Sequence, residues 1–273
     1  MSAFQWIIDN AAGISITSRP IVGQTQSIDG TVRSVSLGNA PWRFDVTMPG
    51  GMTWSDARPY ISQIEQADRY TAQTIAISRP GQSWLSGYQG TEPDVASAVW
   101  TWTQGQNYIY SSGIGTAAAN TPVTGGGYRF RAGDFIQLAN QVTGNGRVYR
   151  VAYDVPWGFK TGAATYNTFP MTGNTTGDFR LDTDSGIMYQ WSGIAWTTVY
   201  AGVDSSGNPV PAVYGAVYLN RPIIDANSNA YSTIKIGSAV NWTVMMTNFP
   251  TWSIDARNIV SWSGNFTFYE VMT

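Results

Sequence analysis

Three aspartates, Asp178, Asp182 and Asp184, form the densest group of possible metal ligands in the chain. Calcium prefers several carboxylate oxygens from one loop. A loop of the EF-hand type would need a further ligand where Gly186 stands and a glutamate beyond it, and the sequence has neither. Two carboxyl groups on one tight turn also do not straddle a sugar ring as glycoside hydrolysis requires. We therefore predict a solvated hairpin turn, with no metal and no catalytic residue.

Three aromatic residues, Tyr189, Trp191 and Trp196, follow in the same segment. Tyr189 and Trp191 lie on one face if the segment is a strand, because strand side chains alternate. Exposed rings of this kind stack on sugars, so the three residues are candidate glycan contacts. The other interpretation is that they fill a small local core, because a short segment has little else to bury. The size of the segment favours the core, and both interpretations stay open.

Other reactive groups are missing from the chain, which contains no histidine and no cysteine. Disulfides, cysteine-ligated zinc, thiol nucleophiles and histidine-dependent triads are therefore excluded. The glycine-rich segment Gly113–Gly127 has neither the lysine of a phosphate-binding loop nor the dinucleotide fingerprint, and we predict a plain loop. The sequence favours a non-enzymatic protein without a cofactor.

The composition is apolar and aromatic but sparsely charged: 43% hydrophobic, 14% aromatic and 12% charged, with a net charge of −2. An average domain carries about 25% charged residues. Lys160 and Lys235 are the only lysines, against 12 tryptophans and 15 tyrosines. Interface cores show this same enrichment, because burying a charge is costly and aromatic rings supply area. The bias predicts extensive protein contacts, although a monomeric extracellular β protein would share it.

The charge and hydropathy patterns also exclude some partners. The arginines are scattered, so no basic stripe is available to neutralise phosphates, and we predict no specific nucleic-acid binding. No apolar run approaches the roughly 18–20 residues of a membrane helix. The first apolar residues have no basic segment before them, which favours synthesis and folding in the cytoplasm.

The elements that position these residues are predicted to be mainly strands. Alternating apolar residues predict strands over 42–48, 149–155 and 242–246, and shorter β-rich runs occur at 74–78, 135–138, 216–220 and 266–271. The segment 177–200 is predicted to form a small module of strand, aspartate-rich turn, strand, glycine turn and strand.

One segment has helical instead of strand periodicity. Trp54, Ala57, Ile61 and Ile64 recur at helical spacing, which predicts an amphipathic helix from Asp56 to about residue 67. We expect Asp56 at the N-cap, with a proline in the first turn at position 59.

Three stretches, taken together and in order, resemble the distal tail proteins of long-tailed bacteriophages. The first is the strand, helix and strand over 33–77. The second is the run Phe130-Arg131-Ala132-Gly133-Asp134-Phe135-Ile136-Gln137-Leu138, followed by the segment 147–155. The third is the pair of closing segments 215–222 and 261–271. About sixty residues separate the second stretch from the third, more than in related sequences, so we expect an insertion on a loop at about 156–205.

The resemblance implies a fold and a role. It implies a mainly β chain: a β-sandwich ring domain with one amphipathic helix at 1–95 plus 240–273, and an inserted outward β-barrel, OB-like or galectin-like domain at 96–239. Such a protein forms a homo-oligomeric ring, most often a hexamer, in the virion tail tip. Its expected partners are the tail tube protein above and the tail hub or tip proteins below, with an open channel for DNA. We expect the ring contacts at 31–77 and 240–271.

The other hypothesis for function is a carbohydrate-binding or receptor-binding module of a phage tail tip. Tyr189, Trp191 and Trp196 would then provide its platform.

Overall fold

The computed structural model describes residues 2–18, 21–26, 28, 32–38, 41–79, 81–82, 85–91, 95–111, 127–140, 144–157, 166–182, 185, 187–203, 209–211, 216–228 and 232–271. The chain is mainly β, as the sequence predicts. It divides into two compact units, the first from Met1–Gln82 with Asn241–Thr273 and the second from Ser83–Val240. The second unit is thus inserted in the sequence of the first. The ring-forming role expected of the first unit stays a prediction.

The two segments of the first unit contain the following elements among the described residues. The N-terminal segment has helices α1 (Ala3–Asn10) and α2 (Trp54–Ala67) and strands β1 (Gly13–Thr17), β2 (Ile21–Gln26), β3 (Val32–Gly38), β4 (Arg43–Thr47), β5 (Met52–Thr53) and β6 (Gln73–Ala76).

The second unit contains β7 (Tyr108–Tyr110), β8 (Gly127–Phe130), β9 (Phe135–Asn140), β10 (Gly144–Arg150), β11 (Val155–Trp157), β12 (Phe179–Leu181), β13 (Met188–Trp191), β14 (Trp196–Thr198), β15 (Tyr200–Val203), β16 (Pro209–Pro211), β17 (Ala216–Tyr218) and β18 (Thr233–Ile236). Two 3-10 turns lie at Tyr166–Thr168 and Gly237–Ala239. The chain then returns to the first unit through β19 (Asn241–Asn248), β20 (Thr251–Ile254), β21 (Ile259–Ser263) and β22 (Phe266–Glu270).

The first unit is organised around an antiparallel sheet of strand order β1-β4-β22-β19-β6. The closing strand β22 lies between β4 and β19, with Phe268 opposite Phe44 and Met246. Phe44 and Trp242 meet edge to face with their ring centroids 5.4 Å apart. The alternation predicted for β4 and β19 is confirmed, because the predicted inward residues are buried: Phe44, Val46, Trp242, Val244 and Met246.

Helix α2 is the predicted amphipathic helix, and it buries Ala57, Ile61 and Ile64. The predicted N-cap was wrong, because the helix begins at Trp54. The Thr53 hydroxyl oxygen accepts a hydrogen bond from the Asp56 amide (3.3 Å) and donates to the carboxylate Oδ2 of Asp56 (2.6 Å). This reciprocal cap satisfies the first turn, so Asp56 is the third helical residue and not the cap.

Helix α1 is an element that sequence analysis did not predict. Its apolar residues are nearly continuous, and a short run of that kind does not distinguish a helix from a strand. Ser2 caps it by accepting a hydrogen bond from the Gln5 amide (3.2 Å). Phe4, Ile7 and Ile8 are then fully buried.

The second unit has its own buried core. Trp100, Phe130, Ile136, Tyr149 and Leu219 belong to it. Its described strands form the sheets β10-β9-β18 and β12-β13-β14 and the pairs β11-β8, β15-β16 and β17-β7. The sheet β12-β13-β14 confirms the module of three strands predicted at 177–200.

The strand predicted over 149–155 is interrupted, since β10 ends at Arg150 and β11 begins at Val155. The strand is interrupted where the Asp154 side chain binds a neighbouring loop. Its carboxylate accepts hydrogen bonds from the Ala132 amide and the Arg131 guanidinium, both at 2.8 Å.

Candidate assembly surface

A hairpin turn at Asp255 joins β20 to β21 and fixes the start of α2 beside them. The Asp255 amide donates to the Ile259 carbonyl (3.0 Å), and the Ile259 amide donates to Asp255 Oδ1 (2.9 Å). This second bond holds the pKa of Asp255 below its ordinary value. Asn258 has a left-handed backbone (φ 65°), and its carbonyl accepts a hydrogen bond from the Trp54 amide (2.9 Å). The turn therefore places the first residue of α2 against the sheet β20-β21-β5.

Trp54 and Trp252 stack at this junction. Their ring centroids are 5.2 Å apart with an interplanar angle of 24°, and both side chains are only half-buried. Trp54 lies in the predicted contact segment 31–77, and Trp252 lies in the predicted contact segment 240–271. Two segments about two hundred positions apart thus contribute to one half-buried aromatic pair.

Met52 and Ile254 extend this pair into a patch. The register places Met52 opposite Val260 and Val260 opposite Ile254, so the three share one face of the sheet. Val260 is fully buried, whereas Met52 is half-buried and Ile254 is 42% exposed. We call Met52, Trp54, Trp252 and Ile254 the tryptophan patch. The centre of this face belongs to the core, and its outer part is left to solvent.

The opposite face of the same strands is largely polar, apart from the half-buried Ile259 opposite Thr53. It carries the hydroxyl side chains of Thr251, Ser253, Ser261 and Ser263. At the turn, Arg257 and Asp255 form an ion pair of 2.9 Å, which offsets both charges. The tryptophan patch itself carries no charged residue, as is typical of the core of a protein interface.

The two edges of the main sheet differ. At the β6 edge, the Gln5 side chain imitates a neighbouring strand: its Nε2 donates to the Ala76 carbonyl (2.9 Å), and its Oε1 accepts from the Ala76 amide (2.8 Å). Strand β1 forms the other edge and, among the described residues, pairs with β4 alone. Unpaired edges are templates for pairing with another chain. Within the part of the chain that the structure describes, one edge is therefore blocked and the β1 edge is unpaired.

The predicted glycan contacts lie in the small sheet β12-β13-β14, and the structure encloses two of them. Trp191 and Trp196 are 6% and 5% exposed, with ring centroids 5.3 Å apart. Phe169 packs edge to face on Trp196 at 5.5 Å. Tyr189 is half-buried and stacks on Tyr166 at 4.5 Å. The predicted platform does not fit this burial, because Phe169 closes the core and leaves no tryptophan face for a sugar.

The predicted aspartate cluster does not converge on one point among the described residues. Asp178 is fully buried, and its Oδ2 accepts a hydrogen bond from the Thr175 amide (2.6 Å). Asp182 Oδ2 accepts from the Ser185 hydroxyl (2.6 Å). Asp184 lies outside the described residues. Asp178 and Asp182 thus bind separate turns, and the described part of the chain holds no group of three His, Cys, Asp or Glu residues placed to bind a metal.

The glycine–aspartate pair in the second stretch of the resemblance builds a turn. Gly133 has a φ of 102°, and the Asp134 amide donates to the Arg131 carbonyl (3.0 Å). The buried carboxylate of Asp134 accepts hydrogen bonds from the amides of Arg131 (2.9 Å) and Gln89 (3.1 Å). Burial raises the pKa of Asp134 above its ordinary value despite these bonds. The pair has a structural role.

Tyr149 and Asp225 form a second internal network, which sequence analysis missed. The Tyr149 hydroxyl donates to Asp225 Oδ2 (2.6 Å) and accepts from the Ile224 amide (3.0 Å). The Arg147 amide donates to both carboxylate oxygens. Burial, and then the charge of Asp225, raise the pKa of Tyr149. A Cβ at Gly146 would lie 2.7 Å from Asp225 Oδ1, so the network requires glycine there. These groups bind each other and the amides of Arg147 and Ile224.

No protein-family model and no curated protein matches this chain. Among the described residues, none of the helices has the length and apolar character of a membrane span. The predicted loop at Gly113–Gly127 lies outside the described residues, apart from Gly127 itself.

Proposed function

We propose that this chain is a non-enzymatic structural protein of a phage tail. In this proposal it forms a homo-oligomeric ring, most often a hexamer, at the distal end of the tail tube. The ring connects the tube to the tip or baseplate and leaves a channel for DNA. The chain would be synthesised in the host cytoplasm and located in the virion tail tip.

The tryptophan patch is the observation that carries the proposal. Tryptophans are the side chains most enriched among interface hot spots, and they contribute most when a partner removes them from water. Trp54 and Trp252 are already stacked on each other, and the Asn258 hydrogen bond fixes the Trp54 backbone, so less side-chain entropy remains to be lost on association. Ile254 adds apolar area beside them. The patch therefore supports assembly through the first unit.

A closed ring requires two different, complementary surfaces on each protomer. The tryptophan patch supplies one, and the open β1 edge supplies a second in the same unit. Half-buried Ile14 and Ile16 alternate along β1 with other residues, as in a strand that can accept a neighbour. We propose that one protomer contacts the next through these two surfaces.

The charge balance is compatible with a DNA channel. Phosphates adhere to basic surfaces because counterions are released on binding. A chain with 15 basic and 17 acidic side chains has little to retain passing DNA.

Negative-stain electron microscopy of the purified full chain tests this proposal. We expect ring-shaped particles with a central opening, and we expect Trp252→Ala to reduce their number while Tyr200→Ala, a 55% exposed position in the second unit, leaves them unchanged. Single-chain particles at the highest soluble concentration would contradict the proposal.

The alternative, a carbohydrate-binding module based on Tyr189, Trp191 and Trp196, has less support because both tryptophans are buried. A glycan array with wild-type protein and Trp191→Ala tests it. Binding that this substitution abolishes without unfolding the chain would favour the alternative.

A further inference from the structure

The second unit carries a surface groove of about 550 Å³ that the proposed assembly does not use. It lies where the end of β10, the turn at Gly133 and the end of β17 meet. Asn107, Arg150, Tyr153 and Asn220 contribute side chains to its lining. Among the described residues that line it, none is acidic.

The Tyr153 ring lines this groove and belongs to a row of three tyrosines. Tyr153 packs on Tyr218 with ring centroids 6.4 Å apart, and Tyr218 packs on Tyr108 at 6.0 Å. The register of β7 and β17 explains the row: Ile109 and Val217 pair with each other and point into the core. Tyr108 and Tyr218 therefore lie on the outer face, and both are half-buried, as is Tyr153.

The groove also offers polar groups with unused hydrogen-bonding capacity. The Tyr153 hydroxyl binds no described residue. Asn220 Oδ1 accepts a hydrogen bond from the Arg150 amide (2.9 Å), which leaves the Asn220 amide donors for a ligand. The Asn107 carbonyl accepts from the Leu219 amide (2.7 Å), and the Asn107 side chain binds no described residue.

We propose that this groove binds a neutral saccharide. A pyranose ring has an apolar face that stacks on tyrosine and a rim of hydroxyls that needs paired donors and acceptors. Tyr153 supplies the stacking surface, and the side-chain amides of Asn107 and Asn220 supply both donors and acceptors. The lack of carboxylates in the described lining disfavours a cationic ligand, and a single arginine is a poor match for a polyanion.

Native affinity electrophoresis of the full chain tests this proposal. The gels contain dextran, mannan, galactan or a β-1,3-glucan as neutral probes, and dextran sulfate as the anionic probe. We expect at least one neutral polymer to retard the wild-type chain. Tyr153→Ala should weaken that retardation at least tenfold, whereas Tyr153→Phe, which keeps the ring, should retain most of it.

Two further variants separate the saccharide from other ligands. Asn220→Asp keeps the oxygen that accepts from Arg150 and removes the amide donors, so we expect weaker retardation from a folded chain. Tyr70→Ala in the first unit is the matched control. The proposal is overturned if no neutral polymer retards the wild type, or if Tyr153→Ala and Asn220→Asp both bind like the wild type. Retardation by dextran sulfate alone that Arg150→Ala abolishes would also overturn it.

Discussion

Replacing Trp252 by alanine should separate the folding role of the tryptophan patch from its assembly role. The stack on Trp54 contributes about 0.5–1.5 kcal/mol beyond the buried area. Because Trp252 is only half-buried, we expect a loss of about 1–2 kcal/mol in the free energy of unfolding of one chain, less than the 3–5 kcal/mol typical of a buried tryptophan. The protein should therefore stay folded, and urea denaturation measures this loss.

The same substitution should affect assembly more strongly. An interface hot spot contributes at least about 2 kcal/mol to binding, which is a change of about 30-fold in the dissociation constant. Sedimentation velocity over a concentration series measures this shift. Trp54→Ala should give a similar shift, and the double variant should add little, because the two rings act as one unit. If Trp252→Ala sediments like the wild type at every concentration, the patch does not form the interface.

Three further predictions concern the fold and its pH dependence. Trp191→Ala should destabilise the sheet β12-β13-β14 by about 3–5 kcal/mol and speed hydrogen exchange at 188–198; unchanged exchange would show that the core is not cooperative. Gly146→Ala should lower the free energy of unfolding by about 1–3 kcal/mol in urea titrations, because the new methyl group meets Asp225. Gly50→Ala is the control, and because open space surrounds Gly50 it should change the free energy of unfolding by less than about 0.5 kcal/mol. Equal effects of the two substitutions would contradict the packing around Gly146. Because the pKa of Asp134 is raised on folding, its contribution favours the folded state at low pH and declines as the pH rises from the ordinary aspartate range near 3.8 to the folded pKa. The urea midpoint of the wild type minus that of Asp134→Asn should therefore decrease as the pH is raised from 3 to 7. A difference that does not change with pH would refute this assignment.

The sequence predicts the elements whose periodicity is set by one buried face. Strands β4 and β19 and helix α2 were found where alternation or helical spacing placed them, because each buries a regular stripe of side chains. The three strands around Trp191 were also predictable, since glycines and aspartates mark both turns.

The contacts that connect distant segments were not predictable from local pattern. Thr53 and Asp56 are both residue types that cap helices, and only the backbone geometry shows that Thr53 is the N-cap of α2. Helix α1 has too few polar residues to show a period. The Trp54–Trp252 stack depends on the path of the chain between the two residues. Phe169 shows the same limit, because it closes the core around Trp196 from outside the hairpin.

Sedimentation equilibrium of the wild-type chain tests most directly whether another copy covers the half-exposed aromatic patch. We expect a mass that is a multiple of 29.7 kDa and that reaches six chains as the concentration rises. A mass of one chain at every concentration, in a protein whose folding is verified by circular dichroism, would contradict the proposed assembly.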